Sequence, residues 1–89
     1  MDYYRIEFKK RAVKELKSLP TDIIKNLTKK ITSLKENPLP RGSIKLSGSQ
    51  FLYRLRFGDY RVIYLIDKDD KLITIQYIRH RKDVYRFLK

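Results

Sequence analysis

Residues 53–64 constrain the fold of this chain most, because they predict a β-hairpin whose turn and pairing register are both fixed. The sequence Tyr-Arg-Leu-Arg-Phe-Gly-Asp-Tyr-Arg-Val-Ile-Tyr places alternating residues on either side of Gly58 and Asp59. Gly58 suits the first central position of a two-residue primed turn, where φ is positive. Counting outward from this turn gives the expected cross-strand pairs Phe57–Tyr60, Arg56–Arg61, Leu55–Val62, Arg54–Ile63 and Tyr53–Tyr64.

This register puts Arg54, Arg56 and Arg61 on one face of the hairpin and a continuous apolar set on the other. Like charges that face each other directly across a sheet are destabilising. A fold that needed only solubility would have little reason to oppose Arg56 to Arg61. The hairpin therefore predicts a surface that binds an anion.

The part of the chain before the hairpin predicts a strand followed by two helices. Residues 2–8 alternate in the manner of a half-buried strand. Apolar residues at three- and four-residue spacing then indicate a helix that stops at Pro20. A second helix is expected to begin with Thr21 as its N-cap and to end at Asn37-Pro38.

Two more segments complete the expected sheet. The connection over residues 37–50 is predicted to hold a short strand at 44–46, and a polar turn at 67–70 leads to a third meander strand at 71–78. In that register Ile73, Ile75 and Tyr77 are expected on the apolar face, and Thr74 and Gln76 beside Ile63 and Arg61.

These patterns predict an α+β fold. We expect an N-terminal strand, a helical hairpin packed on one face of a mainly antiparallel sheet meander, and a short C-terminal helix. The helices should cover the apolar face and leave the arginines open. At 89 residues the chain is expected to be a single domain, 1–89.

The charge balance narrows the class of partner. Lys and Arg total 22 against 10 acidic residues, which gives a formal net charge of +12. Such an excess favours a polyanionic partner, namely nucleic acid, an anionic membrane or an acidic protein. The chain has no cysteine and no apolar run of the roughly 18 residues that a spanning helix needs. We therefore expect a soluble cytoplasmic protein that is not exported, and we expect no membrane among its partners.

A second cluster of cationic residues lies at the C-terminal end of the sequence, from Arg79 to Lys89. Tyr85 follows Arg81 by four residues, so the two side chains share one side of a helix. Guanidinium groups bind phosphate in a planar, bidentate manner. A tyrosine among cations can stack on a base or, as phenolate, accept a proton. Such a set could hold a scissile phosphate and activate a 2′-hydroxyl without a metal.

Other chemistries fit the sequence less well. His80 is the only histidine, which excludes a two-histidine nuclease, and it is more simply a solvated or hydrogen-bonding residue than a base. No spacing of acids and histidine resembles a metal site, and Asp67, Asp69 and Asp70 are interpreted as an ordinary polar turn. We expect neither a metal nor an organic cofactor.

The stretches from Leu55 to Tyr64 and from His80 to Tyr85 closely resemble the RelE branch of the RelE/ParE toxin superfamily. The resemblance extends over nearly the whole chain, including Lys45-Leu46-Ser47-Gly48 before the hairpin. It implies a ribosome-dependent endoribonuclease that cleaves messenger RNA in the decoding site and is neutralised by a cognate antitoxin.

By this resemblance, Arg61 binds the phosphate, Arg81 stabilises charge or acts toward the leaving group, and Tyr85 assists deprotonation of the 2′-hydroxyl. Arg54 and Arg56 stand where the best-known member has lysines, and an arginine can hold phosphate but cannot shuttle a proton. The cations expected to contact RNA phosphate are Arg54, Arg56, Lys45, Arg79 and Lys82.

Two alternatives remain open at this point. One is a ParE-like inhibitor that binds DNA gyrase, and the other is a non-catalytic RNA-binding module. The joint presence of Arg61, Arg81 and Tyr85 favours the nuclease, because a gyrase binder needs no phosphate pocket. The expected partners are an acidic antitoxin, the ribosome and messenger RNA, with the toxin–antitoxin complex binding its own operator DNA through the antitoxin.

Overall fold

The computed structural model describes residues 3–80 and has two helices on one face of a five-stranded sheet. The elements in chain order are β1 (Arg5–Phe8), α1 (Lys10–Lys17), α2 (Thr21–Thr32), a 3₁₀ turn (Ser33–Lys35), β2 (Ser43–Lys45), β3 (Leu52–Phe57), β4 (Tyr60–Asp67) and β5 (Leu72–His80). The predicted α+β fold is confirmed. The predicted C-terminal helix follows His80 and lies outside the described residues.

The N-terminus of α2 differs from the prediction by one residue. Thr21 is the first helical residue, and the N-cap is Pro20, whose carbonyl accepts the Ile24 N–H at 2.9 Å. Proline suits this position because it has extended geometry and no N–H to satisfy. The expectation that Thr21 caps the helix was therefore wrong, and no side chain caps this end.

The sheet has the strand order β1-β5-β4-β3-β2, with β1 parallel to β5 and the other neighbours antiparallel. The central hairpin is confirmed in every predicted pair, from Phe57–Tyr60 to Tyr53–Tyr64. Gly58 has φ +57°, which a two-residue primed turn requires at its first central position. The turn and the alternation thus fix this register together.

The register of β5 against β4 differs from the prediction. The loop occupies residues 68–71, because Asp67 pairs with Leu72, and Lys71 takes a left-handed conformation with φ +54°. A β-bulge follows, since Tyr64 pairs with Ile75 but Ile63 pairs with Tyr77, which leaves Gln76 as the extra residue.

The bulge changes which residues of β5 face the helices. Before it, Ile73 and Ile75 face the helices and are fully buried, whereas after it Ile78 does so. Tyr77 consequently lies on the other face, and Arg79 rather than Gln76 pairs with Arg61. The predicted position of Thr74 beside Ile63 was wrong, because the later loop pairs Thr74 with Leu65. The predicted positions of Tyr77 and Gln76 were wrong as well, because strict alternation does not allow for an extra residue.

The core lies between the helices and this face of the sheet. Its buried members are Ala12, Leu27, Ile31, Leu34, Leu55, Val62, Tyr64, Ile66, Ile73, Ile75 and Ile78. The Tyr64 hydroxyl donates a hydrogen bond to the Pro38 carbonyl oxygen at 2.8 Å, which ties β4 to the connection after α2. Within residues 3–80, no helix is long and apolar enough to cross a membrane.

Candidate functional site: an arginine row across three strands

Three arginines stand in line across the face of the sheet that points away from the helices. Arg56 on β3 pairs with Arg61 on β4, and Arg61 pairs in turn with Arg79 on β5. We call Arg56, Arg61 and Arg79 the arginine row. Arg54 lies two residues from Arg56 on the same face, in the neighbouring line with Ile63 and Tyr77.

The row is built by the two features that set strand register. The Gly58 turn opposes Arg56 to Arg61, and the Gln76 bulge brings Arg79 to the other side of Arg61. Directly paired residues in an antiparallel sheet have Cα atoms roughly 4.5–5.5 Å apart. Three guanidinium side chains that leave the backbone so close together create a concentrated positive potential.

Arg61 is the central member and is buried, with 8% of its surface accessible, so the expectation that the arginines are open was wrong for this residue. One of its terminal nitrogens donates to the Tyr60 carbonyl oxygen at 3.3 Å. Arg56 is exposed, and its Nε donates to the Gly58 carbonyl oxygen at 3.4 Å, across the hairpin turn. Backbone carbonyls of the hairpin therefore help to orient two of the three guanidinium groups.

The β5 end of the row contacts helix α1. Glu15 forms an ion pair with Nε of Arg79 and also accepts the Ile78 N–H at 2.8 Å. The guanidinium carbon of Arg11 lies 4.1 Å from the centroid of the Tyr77 ring, and that of Arg79 lies 5.2 Å from it. Cation–π contacts of this kind fix an arginine while it keeps its charge.

Sequence reasoning missed Glu15 and Arg11. The sequence does carry a signal for the bulge that places Arg79 near these two residues. Isoleucine recurs at positions 73, 75 and then 78, which breaks strict alternation. No local pattern indicated that α1 would lie beside the end of β5.

The structure brings together four of the predicted phosphate-binding residues, namely Arg54, Arg56, Arg61 and Arg79. Lys45 is exposed but pairs with Tyr53, which packs against the core, so it lies on the helix-facing side of the sheet. Strand β2 places Ile44 rather than Lys45 beside Arg54, and the predicted contact of Lys45 with RNA phosphate stays a prediction. Arg81, Lys82 and Tyr85 lie outside the described residues.

His80 is not on the arginine side. It pairs with Tyr60, and the two rings meet edge to face with centroids 5.5 Å apart. Within residues 3–80 no three His, Cys, Asp or Glu side chains are grouped so that they could hold a metal ion. The chemistry available on this surface is that of permanent cations, which bind and neutralise anionic oxygens.

Comparisons with known proteins agree on one group of toxins. Residues 6–85 match the family model described as the ParE toxin of the type II toxin-antitoxin system parDE. The chain is 37% identical over 86 residues to a putative toxin RelE1 of Methanocaldococcus jannaschii, which covers 93% of this chain and 96% of that protein.

Solved structures show the same fold. A chain of the archaeal RelE–RelB complex from Pyrococcus horikoshii superposes with a TM-score of 0.80 at 40% identity, covering 91% of this chain and 97% of that one. A chain of the toxin–antitoxin complex RelBE2 from Mycobacterium tuberculosis gives a TM-score of 0.76 at 27% identity, with 89% and 99% covered.

Proposed function

Because this chain belongs to the RelE branch of the RelE/ParE toxin superfamily, we propose that it is the toxin of a type II toxin–antitoxin pair and acts as a ribosome-dependent endoribonuclease. Its substrate is messenger RNA in the decoding site, and it cleaves without a metal of its own. The single observation that carries this proposal is the arginine row on the face opposite the helices.

The row supports a phosphodiester substrate on electrostatic grounds. Like charges at directly paired positions, such as Arg56 and Arg61, repel each other, and a bound phosphate offsets that repulsion. The stabilisation is greatest for the negative charge that develops in the transition state, because cations that are already in position need no reorganisation as the reaction proceeds. An arginine that serves only solubility is expected to be exposed to solvent, whereas Arg61 is only 8% exposed.

The proposed reaction is an attack by the ribose 2′-oxygen on the adjacent phosphorus. The new bond joins O2′ to phosphorus, the bond from phosphorus to O5′ breaks, and the products are a 2′,3′-cyclic phosphate and a 5′-hydroxyl. Tyr85 assists removal of the 2′-hydroxyl proton, Arg61 binds the phosphate oxygens, and Arg81 stabilises the developing charge or acts toward the leaving O5′. Arg54 and Arg56 hold phosphate without transferring protons.

The proposed protein partner is an acidic antitoxin, and its complex with this toxin binds operator DNA through the antitoxin. The solved relatives from P. horikoshii and M. tuberculosis are toxin–antitoxin complexes. A chain of net charge +12 favours an acidic, largely disordered segment that folds as it wraps the toxin. Location in the cytoplasm, where ribosomes translate, is part of the proposal.

A second candidate function is inhibition of DNA gyrase, because the matching family model is described as a ParE toxin. Such an inhibitor would act by binding and would leave RNA intact. A passive RNA-binding module would also bind without cleaving. The three functions therefore differ in one observable, the appearance of new RNA ends.

The experiment is translation of a defined message by purified ribosomes with and without the protein, followed by primer extension to map breaks. Transition metals are chelated while magnesium is kept, because ribosomes need it. We expect cleavage at positions in the decoding site, undiminished by the chelator, and little cleavage of the same RNA without ribosomes. Efficient cutting of naked RNA, dependence on added zinc or manganese, or inhibition of gyrase with no RNA breaks would contradict the proposal.

A further inference from the structure

Strand β5 extends past the end of its neighbour β1, and helix α1 contacts the part of the β5 edge that β1 does not pair with. The parallel pairing of β1 with β5 ends at Phe8–Ile75, where the Lys9 N–H still donates to the Ile75 carbonyl oxygen at 2.9 Å. Strand β5 continues to His80. Beyond Ile75, no strand among residues 3–80 pairs with this edge of β5, and a backbone donor that is buried without an acceptor costs free energy.

Glu15 supplies that acceptor from the side of α1. One carboxylate oxygen receives the Ile78 N–H at 2.8 Å, and the other pairs with Nε of Arg79. A single side chain therefore fixes both the backbone of the strand end and the guanidinium that closes the arginine row. Its side chain is only 19% exposed, so solvent weakens these contacts less than it would at the surface.

Arg79 is also held from a second direction. Its guanidinium lies 5.2 Å from the centroid of the Tyr77 ring, and Arg11 of α1 lies over the same ring at 4.1 Å. Helix α1 thus contributes an acid and a cation to the same corner of the sheet. The Glu15 carboxylate carries the opposite charge to the Arg79 guanidinium and pairs with its Nε, so it favours one direction of that group.

We propose that Glu15 is a positioning residue of the arginine row, which acts on the RNA phosphate through Arg79. This inference rests on the proposed endoribonuclease function. An acidic residue beside a phosphate-binding surface lowers its positive potential, so Glu15 weakens anion binding in general. The proposed benefit of Glu15 is orientation. A guanidinium that is already oriented before the reaction stabilises the transition state without reorganising.

The test uses the full chain and three variants in single-turnover cleavage on programmed ribosomes. Glu15→Gln keeps an amide oxygen for the Ile78 N–H but loses the charge that pairs with Arg79, and Glu15→Ala loses both. Glu7→Gln is the matched control, because it makes the same charge change at an exposed position of β1. We expect Glu15→Gln to slow cleavage about tenfold with ribosome affinity unchanged or tighter, while Glu7→Gln stays within about twofold.

A purely structural role for Glu15 predicts a different order. In that case Glu15→Gln cleaves at the wild-type rate and only Glu15→Ala is slow, which overturns the proposal. The route through Arg79 is tested in the Arg79→Gln background, where adding Glu15→Gln should cause no further loss. A further loss there also overturns the proposal.

A measurement without cleavage separates this inference from the proposed function. In ¹H–¹⁵N spectra, we expect Glu15→Gln to shift the Arg79 Nε–Hε signal and speed its exchange with water, while Glu7→Gln leaves the signal in place. If the wild-type protein cleaves nothing on ribosomes, the proposed function fails and this readout still decides whether Glu15 sets the Arg79 guanidinium. An Arg79 signal unchanged by Glu15→Gln overturns the positioning role whatever the activity.

Discussion

Tyr64 shows at the scale of one residue how this core accommodates a polar group. The residue is fully buried, and its hydroxyl donates to the Pro38 carbonyl oxygen. Burial raises the pKa of Tyr64 from 10.0 to about 12, because the phenolate would lose its hydration. The phenol therefore stays neutral in the folded chain at pH values where it ionises in the unfolded chain.

That shift predicts a pH-dependent stability. The contribution of Tyr64 is fully present below pH 10 and is lost as the pH rises through about 12, since the folded state binds the proton more tightly. Tyr64→Phe should cost about 1 kcal/mol at pH 7, and this deficit should shrink or reverse between pH 10 and 12. Denaturant unfolding of both proteins across this range measures it, and a constant difference between them would contradict the shift.

Tyr85 is the residue on which the proposed chemistry depends most directly. Tyr85→Phe keeps the ring and any stacking on a base but removes the hydroxyl, so we expect single-turnover cleavage to fall roughly 100-fold with ribosome affinity little changed. Tyr3→Phe is the control, because Tyr3 is 51% exposed. Cleavage at the wild-type rate by Tyr85→Phe would return the role of base to another group.

At the scale of elements, the bulge in β5 decides which side chains meet. Gln76 is the extra residue between two regular stretches of pairing. Its removal leaves every other β4–β5 pair available, with Ile78 still beside Val62 and Arg79 still beside Arg61. Removal of Thr74 instead would turn Gln76 toward the core in place of Ile75.

Deletion of Gln76 is therefore expected to preserve the fold with a loss of stability below about 1.5 kcal/mol, within the range of tolerated changes. Deletion of Thr74 should cost about 3 kcal/mol or more, because it buries an amide and exposes an isoleucine. Thermal unfolding of the two variants compares them directly. Equal losses for the two deletions would show that the bulge does not govern the register.

At the scale of the whole molecule, exposed cations of residues 3–80 lie on both faces of the sheet. Arg56 and Lys45 are both exposed, but Arg56 belongs to the arginine row and Lys45 to the helix-facing side. If RNA binds along the arginine row, Arg56 contacts a phosphate and releases counterions, whereas Lys45 does not. If only the net charge mattered, the loss of either cation would weaken RNA binding equally.

We expect Arg56→Ala to reduce the slope of log affinity against log salt by about 0.7 for a single-stranded RNA, and Lys45→Ala to leave it nearly unchanged. Fluorescence anisotropy with a 2′-O-methyl oligonucleotide measures binding without cleavage. If Lys45→Ala reduces the slope as much as Arg56→Ala, the RNA lies on another surface.

The sequence by itself determined the central hairpin, the helical hairpin and the facing of Arg54, Arg56 and Arg61. These follow from short-range rules, since the Gly58 turn and the alternation of side chains act within a dozen residues. Residues 81–89, with Arg81 and Tyr85, were assigned roles by resemblance, and those roles stay predictions.

Only the tertiary structure decided the β5 end of the site. The contacts of Glu15 with Ile78 and Arg79, and of Arg11 with Tyr77, depend on where α1 lies beside the part of β5 that extends past β1. Glu15 and Ile78 are 63 residues apart in sequence. No local propensity encodes such a contact, because it arises only when a buried backbone donor must find an acceptor in the folded chain.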